Sequence, residues 1–417
     1  MHRNINKPIL LLGEANFSFT LSLLNYCDPK FITTTCYESK ENLNKYNSEL
    51  IEYNLKELLK NGIEPIYGVD ACNLEAHFLN CKFDKIIFMF PHVSGRSNLK
   101  KNRNLLNNFF KSSRKFLLDF ESGIYVSLAD GQGGTSFEKD PSKRLNKDSW
   151  QINEIAQANQ LILTECYEFN KDDYLHYKST GFRNQSKSFK TLFGLVHKFQ
   201  KSLNNLVPFD PNHPIIKIEN FLSHFLGFEI KGEIVRRELN TIKLDDLNNY
   251  YEIPGNGYDI NFPLNSEDKI KELNLSINFK VDEYLKELFQ LENVRLLFSR
   301  DYRILREIDN EITCFKINYS IKEISIDPIK WNHDLSFWYE PNCFDLNEFI
   351  RVIQETSDLI RWIKLIDSFR NENRMAYCFR LVYESCDMAL DWDTTVQIQY
   401  KLRENLKIHL SHSIILR

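Results

Sequence analysis

The chain has no Cys-x-x-Cys pair and no Cys/His cluster with metal-ligand spacing, although it holds nine cysteines. Scattered thiols in odd number exclude a disulfide framework. They argue for a reducing compartment, cytoplasmic in the first instance, with a nuclear or nucleolar site as the alternative. No metal site is expected. Long apolar runs are also missing. The stretch Pro8-Ile9-Leu10-Leu11-Leu12 is stopped by Gly13-Glu14 and is far too short to span a bilayer, so no membrane partner is expected. Neither a Gly-x-x-x-x-Gly-Lys-Ser/Thr loop nor a full Gly-x-Gly-x-x-Gly occurs, which removes the usual phosphate-cradle readings. No repeat period stands out. There is no excess of basic charge: the formal net charge is -4, so any nucleic-acid contact must come from local patches. What remains is an ordinary globular composition, 42% hydrophobic and 26% charged, over 417 residues. That length suits two or three domains with cores of their own.

The first half alternates short apolar runs with helical spacing. Strands are predicted at Ile9–Leu12, Ile32–Tyr37, Ile66–Val69, Lys85–Phe90, Gly123–Leu128, Leu161–Tyr167 and Thr191–His197. Helices are predicted at Phe17–Leu24, Glu41–Asn61, Asn98–Phe120 and Ser149–Asn159, with Gly62 placed as a C-terminal cap. Near-continuous apolar strands alternating with helices imply a parallel sheet covered on both faces, an α/β Rossmann-like domain over residues 1–202. Ligands of such sheets sit at the carboxyl ends of the strands.

Polar residues collect at those ends. Gly13-Glu14-Ala15-Asn16 follows the first strand and runs into Phe17-Ser18 at a helix N-terminus, where backbone amides can face a ligand. Glu38 ends the second strand, where an acid accepts hydrogen bonds from ribose hydroxyls. Asp70, followed by Ala71, ends the third, within reach of an adenine amino group. Each alone is an ordinary turn or helix cap; three at successive strand ends point to a nucleoside cofactor. Pro91-His92 ends the fourth strand. His92 is placed to orient or deprotonate a target base, or else to hydrogen-bond its own loop. Asp130 and Gln132 lie in a loop with Gly131, Gly133 and Gly134, read as a substrate-side loop or as a flexible lid.

Leu11-Leu12-Gly13-Glu14-Ala15-Asn16-Phe17-Ser18-Phe19 resembles the opening motif of the rRNA uridine-N3 methyltransferase-like family. Val69-Asp70-Ala71 and Phe83 to His92 continue the resemblance, as do Asn104-Leu105-Leu106 and Phe109-Phe110. Asp130-Gly131-Gln132-Gly133-Gly134-Thr135, Ser149-Trp150-Gln151 and Thr180 to Phe189 are similar to the branch called ferredoxin-fold anticodon-binding domain-containing protein 1. The resemblance covers about the first 200 residues. It implies a class I methyltransferase domain with S-adenosylmethionine as cofactor, held at Gly13 to Ser18, Glu38, Asp70 and Ala71, with Pro91 and His92 at the catalytic end. Two positions depart from the family pattern. Ala15 stands where a second glycine is usual, and its methyl narrows the approach of a cofactor. Met89 stands where Asn usually precedes Phe-Pro-His, and Met has no donor with which to hold a base.

From Val93 to Leu118 there is no acid, and Arg96, Lys100, Lys101 and Arg103 follow the candidate catalytic end directly, with Lys111, Arg114 and Lys115 beyond. They are read as phosphate contacts to RNA. A second acid-free stretch carries Arg183, Lys187, Lys190, Lys198 and Lys201, with Phe182, Phe189 and Phe193 interleaved. It is either a phosphate track with stacking platforms or a solvated face with core phenylalanines, and core is the expectation for the rings.

Pro208, Pro211 and Pro214 mark a boundary. Residues 203–328 read as a connector. His213-Pro214, Leu226 to Ile230 and Val294 to Arg303 resemble segments of phenylalanyl-tRNA synthetases, but the stretch is too short for their catalytic domain, so aminoacylation is not expected. Asp245 to Glu252 reads as an acidic surface segment. Residues 329–417 read strand-helix-strand-strand-helix-strand, the ferredoxin-like split motif. Predicted elements there are His333–Tyr339, Leu346–Glu355 with Asp345 as cap, Ile360–Phe369, Met375–Glu384, Trp392–Leu406 and Ser413–Leu416. Asn332 to Trp338, Leu365 to Phe369 and Leu416-Arg417 resemble the synthetase's ferredoxin-fold anticodon-binding domain. That implies an RNA partner, rRNA or tRNA. The expected function is an RNA base methyltransferase with an RNA-binding tail. The alternatives are a non-catalytic RNA-binding relic and a protein-interaction adaptor.

Overall fold

The structure, a computed structural model, describes residues 6–44, 49–93, 98–119, 121–140, 146–179, 191–202, 233–234, 247, 249–253, 258–262, 294–298, 325–340, 343–370, 374–386 and 388–417. The chain forms two compact units. The first comprises Met1–Leu203, Ile321–Ile329 and Cys386–Asp391; the second comprises Asn204–Ser320, Lys330–Ser385 and Trp392–Arg417.

The first unit is built on seven strands, β1 (Ile9–Leu12), β2 (Ile32–Cys36), β3 (Ile66–Tyr67), β4 (Lys85–Met89), β5 (Gly123–Leu128), β6 (Leu161–Glu168) and β7 (Leu195–Lys201), in the order β3-β2-β1-β4-β5-β7-β6. Its helices are α1 (Ser18–Leu23), α2 (Lys40–Asn44), α3 (Glu49–Lys60), α4 (Glu75–Phe78), α5 (Leu99–Ser113) and α6 (Ile152–Ala158). All four residues of β1 are buried because the strand is central and covered on both faces. Its alternation divides the two cores. Leu10 and Leu12 pack with Ile86, Phe109 and Ile124 on one face, and Ile9 and Leu11 pack with Phe19, Ile87 and Val196 on the other.

β1 to β5 pair in parallel, but β7 runs antiparallel to both β5 and β6. The expected all-parallel sheet is therefore corrected at its last strand. The predicted start at Thr191 is corrected too. Gly194 N–H bonds back to the Thr191 carbonyl (3.0 Å) and Phe193 has φ 60, so the chain turns before it can extend. A Rossmann-like sheet with one reversed strand inserted beside β5 is the class I methyltransferase fold.

Two helices are shorter than their patterns predict. α5 ends at Ser113 because Phe83 claims the backbone beyond it, donating to the Phe116 carbonyl (2.8 Å) and accepting from Leu118 (2.9 Å). α6 starts only at Ile152, after Gln151 adopts φ 53. The predicted helix Glu41–Asn61 crosses residues 45–48, outside the described residues; on either side lie α2 and α3.

In the second unit, β8 (Glu233–Ile234), β10 (Tyr258–Phe262) and β11 (Val294–Phe298) form a small antiparallel sheet. Other segments of residues 203–328, including the synthetase-like stretch from His213 to Ile230, lie outside the described residues. The ferredoxin-like part has β12 (Trp331–Tyr339), α7 (Leu346–Thr356), β13 (Ile360–Arg370), β14 (Met375–Tyr383), α8 (Trp392–Leu410) and β15 (Ile414–Leu416). Its sheet order is β15-β12-β14-β13, the split βαβ arrangement expected from the pattern. Asp345 caps α7 as predicted, accepting from the Asn347 and Glu348 amides (2.8 and 3.4 Å). A fifth strand, β9 (Tyr251–Glu252), adds to the β13 edge. The segment read as acidic surface thus ends in a sheet, because Glu252 neutralises the buried Arg361 guanidinium at 2.7 Å.

Among the described residues no helix is long and apolar enough to cross a membrane, and no group of three or more His, Cys, Asp or Glu side chains gathers to hold a metal.

Candidate active site

A cavity of about 530 Å³ opens at the carboxyl ends of β1 to β4, within the size range of ligand pockets. Each strand delivers its polar end to it. From β1 come Gly13, Glu14, Ala15 and Asn16; from β2, Tyr37 and Glu38; from β3, Asp70 and Ala71. From β4 come Met89 to Val93, and Tyr177, Lys178 and Ser179 close a further side. The structure thus gathers at one cavity most of the residues singled out as cofactor-binding, and it places Pro91 and His92 beside them.

The turn after β1 has to be glycine first. Gly13 has φ +67, and a Cβ there would lie 2.8 Å from Cε2 of Phe88. Glu14 follows and turns inward. It is 7% exposed, and its Oε2 accepts from the Thr20 amide (3.3 Å) and hydroxyl (3.2 Å). Burial raises its pKa to about 7 against the lowering effect of those bonds. Ala15 is exposed to the cavity.

Of Asn16, Phe17 and Ser18, expected at the cofactor, Asn16 lines the cavity and Phe17 and Ser18 do not. The Asn16 amide donates to the Lys178 carbonyl (2.9 Å), and its Oδ1 accepts from both the amide (3.0 Å) and the hydroxyl (2.7 Å) of Ser18. Ser18 Oγ also accepts from the Lys178 amide (3.0 Å). Phe17 is fully buried and packs edge-on against Tyr67. Neither Phe17 nor Ser18 lines the cavity. The polar side chains serve instead to fasten Tyr177 to Ser179 to the turn. Sequence reasoning missed this wall, because nothing local marks residues 177–179 as partners of residue 16.

Asp70 accepts from the Cys72 amide (2.8 Å) in a tight turn, and Glu38 is half-buried at the rim. The β4 loop is fixed at both ends. Phe90 N–H bonds to the Ser127 carbonyl (2.9 Å), and Val93 N–H bonds to Oδ1 of the buried Asn102 (3.1 Å). His92 between them is half-buried, and desolvation lowers its pKa, which favours the neutral imidazole. Met89 reaches the cavity, but its Sδ accepts the Ser127 hydroxyl (3.2 Å).

Of the basic residues after His92, Arg96 lies outside the described residues, and Lys100 and Lys101 are exposed on the first turn of α5. Arg103 is a correction. Its guanidinium donates to the carbonyls of Ser149 (2.6 Å) and Lys147 (3.0 Å), so it pins the segment ahead of α6 rather than standing ready for phosphate. In the second basic stretch Lys198 pairs with Glu165 (2.6 Å), and Arg183, Lys187 and Lys190 lie outside the described residues. Phe193, expected in the core, is 43% exposed with the Lys139 ammonium 4.0 Å from its ring centre. Asp130 and Gln132 do not line the cavity. Their glycine loop folds around the buried Glu138 carboxylate, which accepts from the amides of Gly131 (2.8 Å), Gly133 (3.1 Å) and Gly134 (3.3 Å), so it is an ordered loop rather than a flexible lid.

Comparison with known proteins agrees with this geometry. Residues 10–181 match the family described as BMT5-like, rRNA (uridine-N3-)-methyltransferase BTM5-like. A Homo sapiens protein named ferredoxin-fold anticodon-binding domain-containing protein 1 is 37% identical over 215 residues, 50% of this chain and 33% of its own length. The Saccharomyces cerevisiae 25S rRNA (uridine(2634)-N(3))-methyltransferase is 23% identical over 255 residues, 48% of this chain and 74% of its own. A mitochondrial phenylalanine–tRNA ligase of Dictyostelium discoideum is 28% identical over 149 residues, 30% of this chain and 33% of its own, and fits the ferredoxin-like part. The matched region spans about one third of the human relative's length.

Proposed function

We propose that this chain, which carries a BMT5-like methyltransferase domain ahead of a ferredoxin-like domain of the phenylalanine–tRNA ligase type, is an S-adenosylmethionine-dependent RNA base methyltransferase acting on uridine N3. The observation that carries the reading is the cavity at the ends of β1 to β4, where the Gly13 turn, Glu38 and Asp70 meet Pro91 and His92. The residues fit an adenosyl cofactor. The left-handed turn at Gly13 brings its backbone to the cavity wall, and Glu38 and Asp70 offer acceptors at the neighbouring strand ends. When bound, S-adenosylmethionine supplies a methyl group activated on a sulfonium.

The rest is alignment and proton handling by the chain. Uridine N3 carries a proton at neutral pH, and a neutral His92 on a loop tied to Ser127 and Asn102 is suited to accept it. Lys100 and Lys101, exposed on the first turn of α5, would meet RNA phosphates. The ferredoxin-like domain would add a second RNA handhold and raise the effective concentration of substrate at the site.

The test is methyl transfer from labelled S-adenosylmethionine to a uridine-containing RNA, with mass spectrometry of the nucleosides. N3-methyluridine is expected from the wild type, and none from His92→Ala, which retains cofactor affinity. Equal turnover by the variant would remove His92 from the chemistry. A second reading rests on Met89, which brings no donor to the cavity and is satisfied by Ser127. In that reading the domain binds RNA without turnover. Cofactor or RNA binding with no methylated base would favour it.

A further inference from the structure

Lys178 is the one lysine or arginine among the described residues that line the cavity; the other ionisable groups there include the acids Glu14, Glu38 and Asp70 and the imidazole of His92. Lys178 is exposed, and among the described residues no carboxylate pairs with its ammonium. Its main chain, by contrast, is held on both sides. The carbonyl accepts from Nδ2 of Asn16 (2.9 Å), and the amide donates to Oγ of Ser18 (3.0 Å). Tyr177 before it is half-buried and packs edge-on against Phe19 (5.9 Å between ring centres) and Phe169 (5.5 Å). Phe169 in turn packs edge-on against Phe90 (5.3 Å), the residue ahead of Pro91 and His92. The wall is therefore moored both to the turn after β1 and to the loop after β4, and those two strands lie side by side. A base presented to His92 lies in the corner that this wall closes.

The proposed reaction makes an anion in that corner. As uridine N3 gives up its proton, negative charge spreads over N3, O2 and O4 of the ring. The surroundings oppose this. Glu38 and Asp70 are acids, Glu14 ionises above its pKa of about 7, and burial makes His92 a weaker base than an exposed imidazole. A positive charge placed where the negative charge develops offsets both effects, and removing one such donor costs on the order of 100-fold in rate.

We infer that Lys178 is a catalytic residue, whose ammonium pairs with a carbonyl oxygen of the target uracil and stabilises the charge left when N3 is deprotonated. This deepens the uridine-N3 reading and rests on it. In the transfer the N3 proton passes to His92 and then to solvent. The N3 electron pair forms the N–CH3 bond, and the carbon–sulfur pair returns to sulfur, leaving a neutral thioether. Lys178 keeps all its protons throughout. The methylated base is neutral, so its hold on the ammonium weakens as the product forms.

The experiment is single-turnover methyl transfer from labelled S-adenosylmethionine to unmodified rRNA and tRNA transcripts, with calorimetric affinities for cofactor and RNA, for the wild type and Lys178→Ala. The mooring uses only the backbone of residue 178, so the variant keeps the wall. Its rate at saturating ligands should fall about 100-fold, with both affinities within roughly twofold of the wild type. Transcripts made with 5-fluorouridine, whose N3 is more acidic, should shrink that deficit to about tenfold, since a more stable anion needs less help. An unchanged rate, or a deficit equal on both kinds of transcript, overturns the inference. Weaker S-adenosylmethionine binding with full rate at saturation overturns it too, making Lys178 a cofactor contact. Weaker RNA binding with full rate and a salt slope lower by about one does the same, making it a phosphate contact. Each of these leaves the methyltransferase reading standing, whereas no N3-methyluridine from the wild type overturns both.

Discussion

The side-chain amide of Asn16 donates to the carbonyl of Lys178, 2.9 Å away and 162 residues further along the chain. Its Oδ1 holds Ser18 at the same time, and its own carbonyl accepts from the buried Asn54 (2.6 Å). One side chain therefore joins the turn after β1 to the segment that walls the cavity. Asn16→Ala should lower unfolding free energy by about 2 kcal/mol, the cost of stranding buried partners. It should also weaken S-adenosylmethionine binding by roughly tenfold, as the wall loosens. Urea unfolding and calorimetry read the two effects; a loss of stability with unchanged affinity would make the clasp purely architectural.

Gly13→Ala tests the turn itself. The residue has φ +67 and its new methyl would meet the Phe88 ring at 2.8 Å. A cost of about 2 kcal/mol is expected from the left-handed backbone and the displaced ring. The urea midpoint should fall at constant slope, and cofactor affinity should fall with it.

Much of this domain was legible from sequence because its strands are apolar throughout and its polar residues wait at the ends. Gly13, Glu38, Asp70 and His92 needed only the rule that parallel sheets bind at their carboxyl edge. The direction of β7 was not legible, since a buried strand looks the same whichever way it runs. Nor were the roles of Asn16, Ser18 and Arg103. A side chain that serves a carbonyl 46 residues away, as Arg103 serves Ser149, carries no local sign that it is already committed. Glu252 in β9 failed for the same reason: its acidic segment reads as surface, and its pairing with Arg361 of β13 leaves no local sign.

That pair gives a prediction for the ferredoxin-like domain. Arg361 is 1% exposed and its guanidinium meets Glu252 at 2.7 Å. Arg361→Ala leaves a partly buried carboxylate without its charge and should cost about 3 kcal/mol. Combining it with Glu252→Ala should recover part of that loss, which denaturant titration of the single and double variants would detect. Additive losses would show that the pair is not coupled.

His197 sets a pH dependence. It is fully buried, its Nδ1 lies 3.3 Å from the Val126 carbonyl, and desolvation lowers its pKa to about 4. The unfolded chain titrates near 6.5 and so binds more protons between these values. Stability from this residue is therefore present above pH 6.5 and is lost as pH falls toward 4. Between pH 7 and pH 5 it should remove about 2 kcal/mol. His197→Phe should remove that part of the slope; an unchanged slope would place the acid sensitivity elsewhere.

The central claim is that the cavity at the ends of β1 to β4 holds S-adenosylmethionine, and calorimetric titration of the purified chain tests it most directly, with Asp70→Ala as the control. Saturable binding that the control loses is the predicted result. Absence of binding at millimolar cofactor would contradict the claim and leave the relic reading, in which Ala15 has closed the approach to the turn.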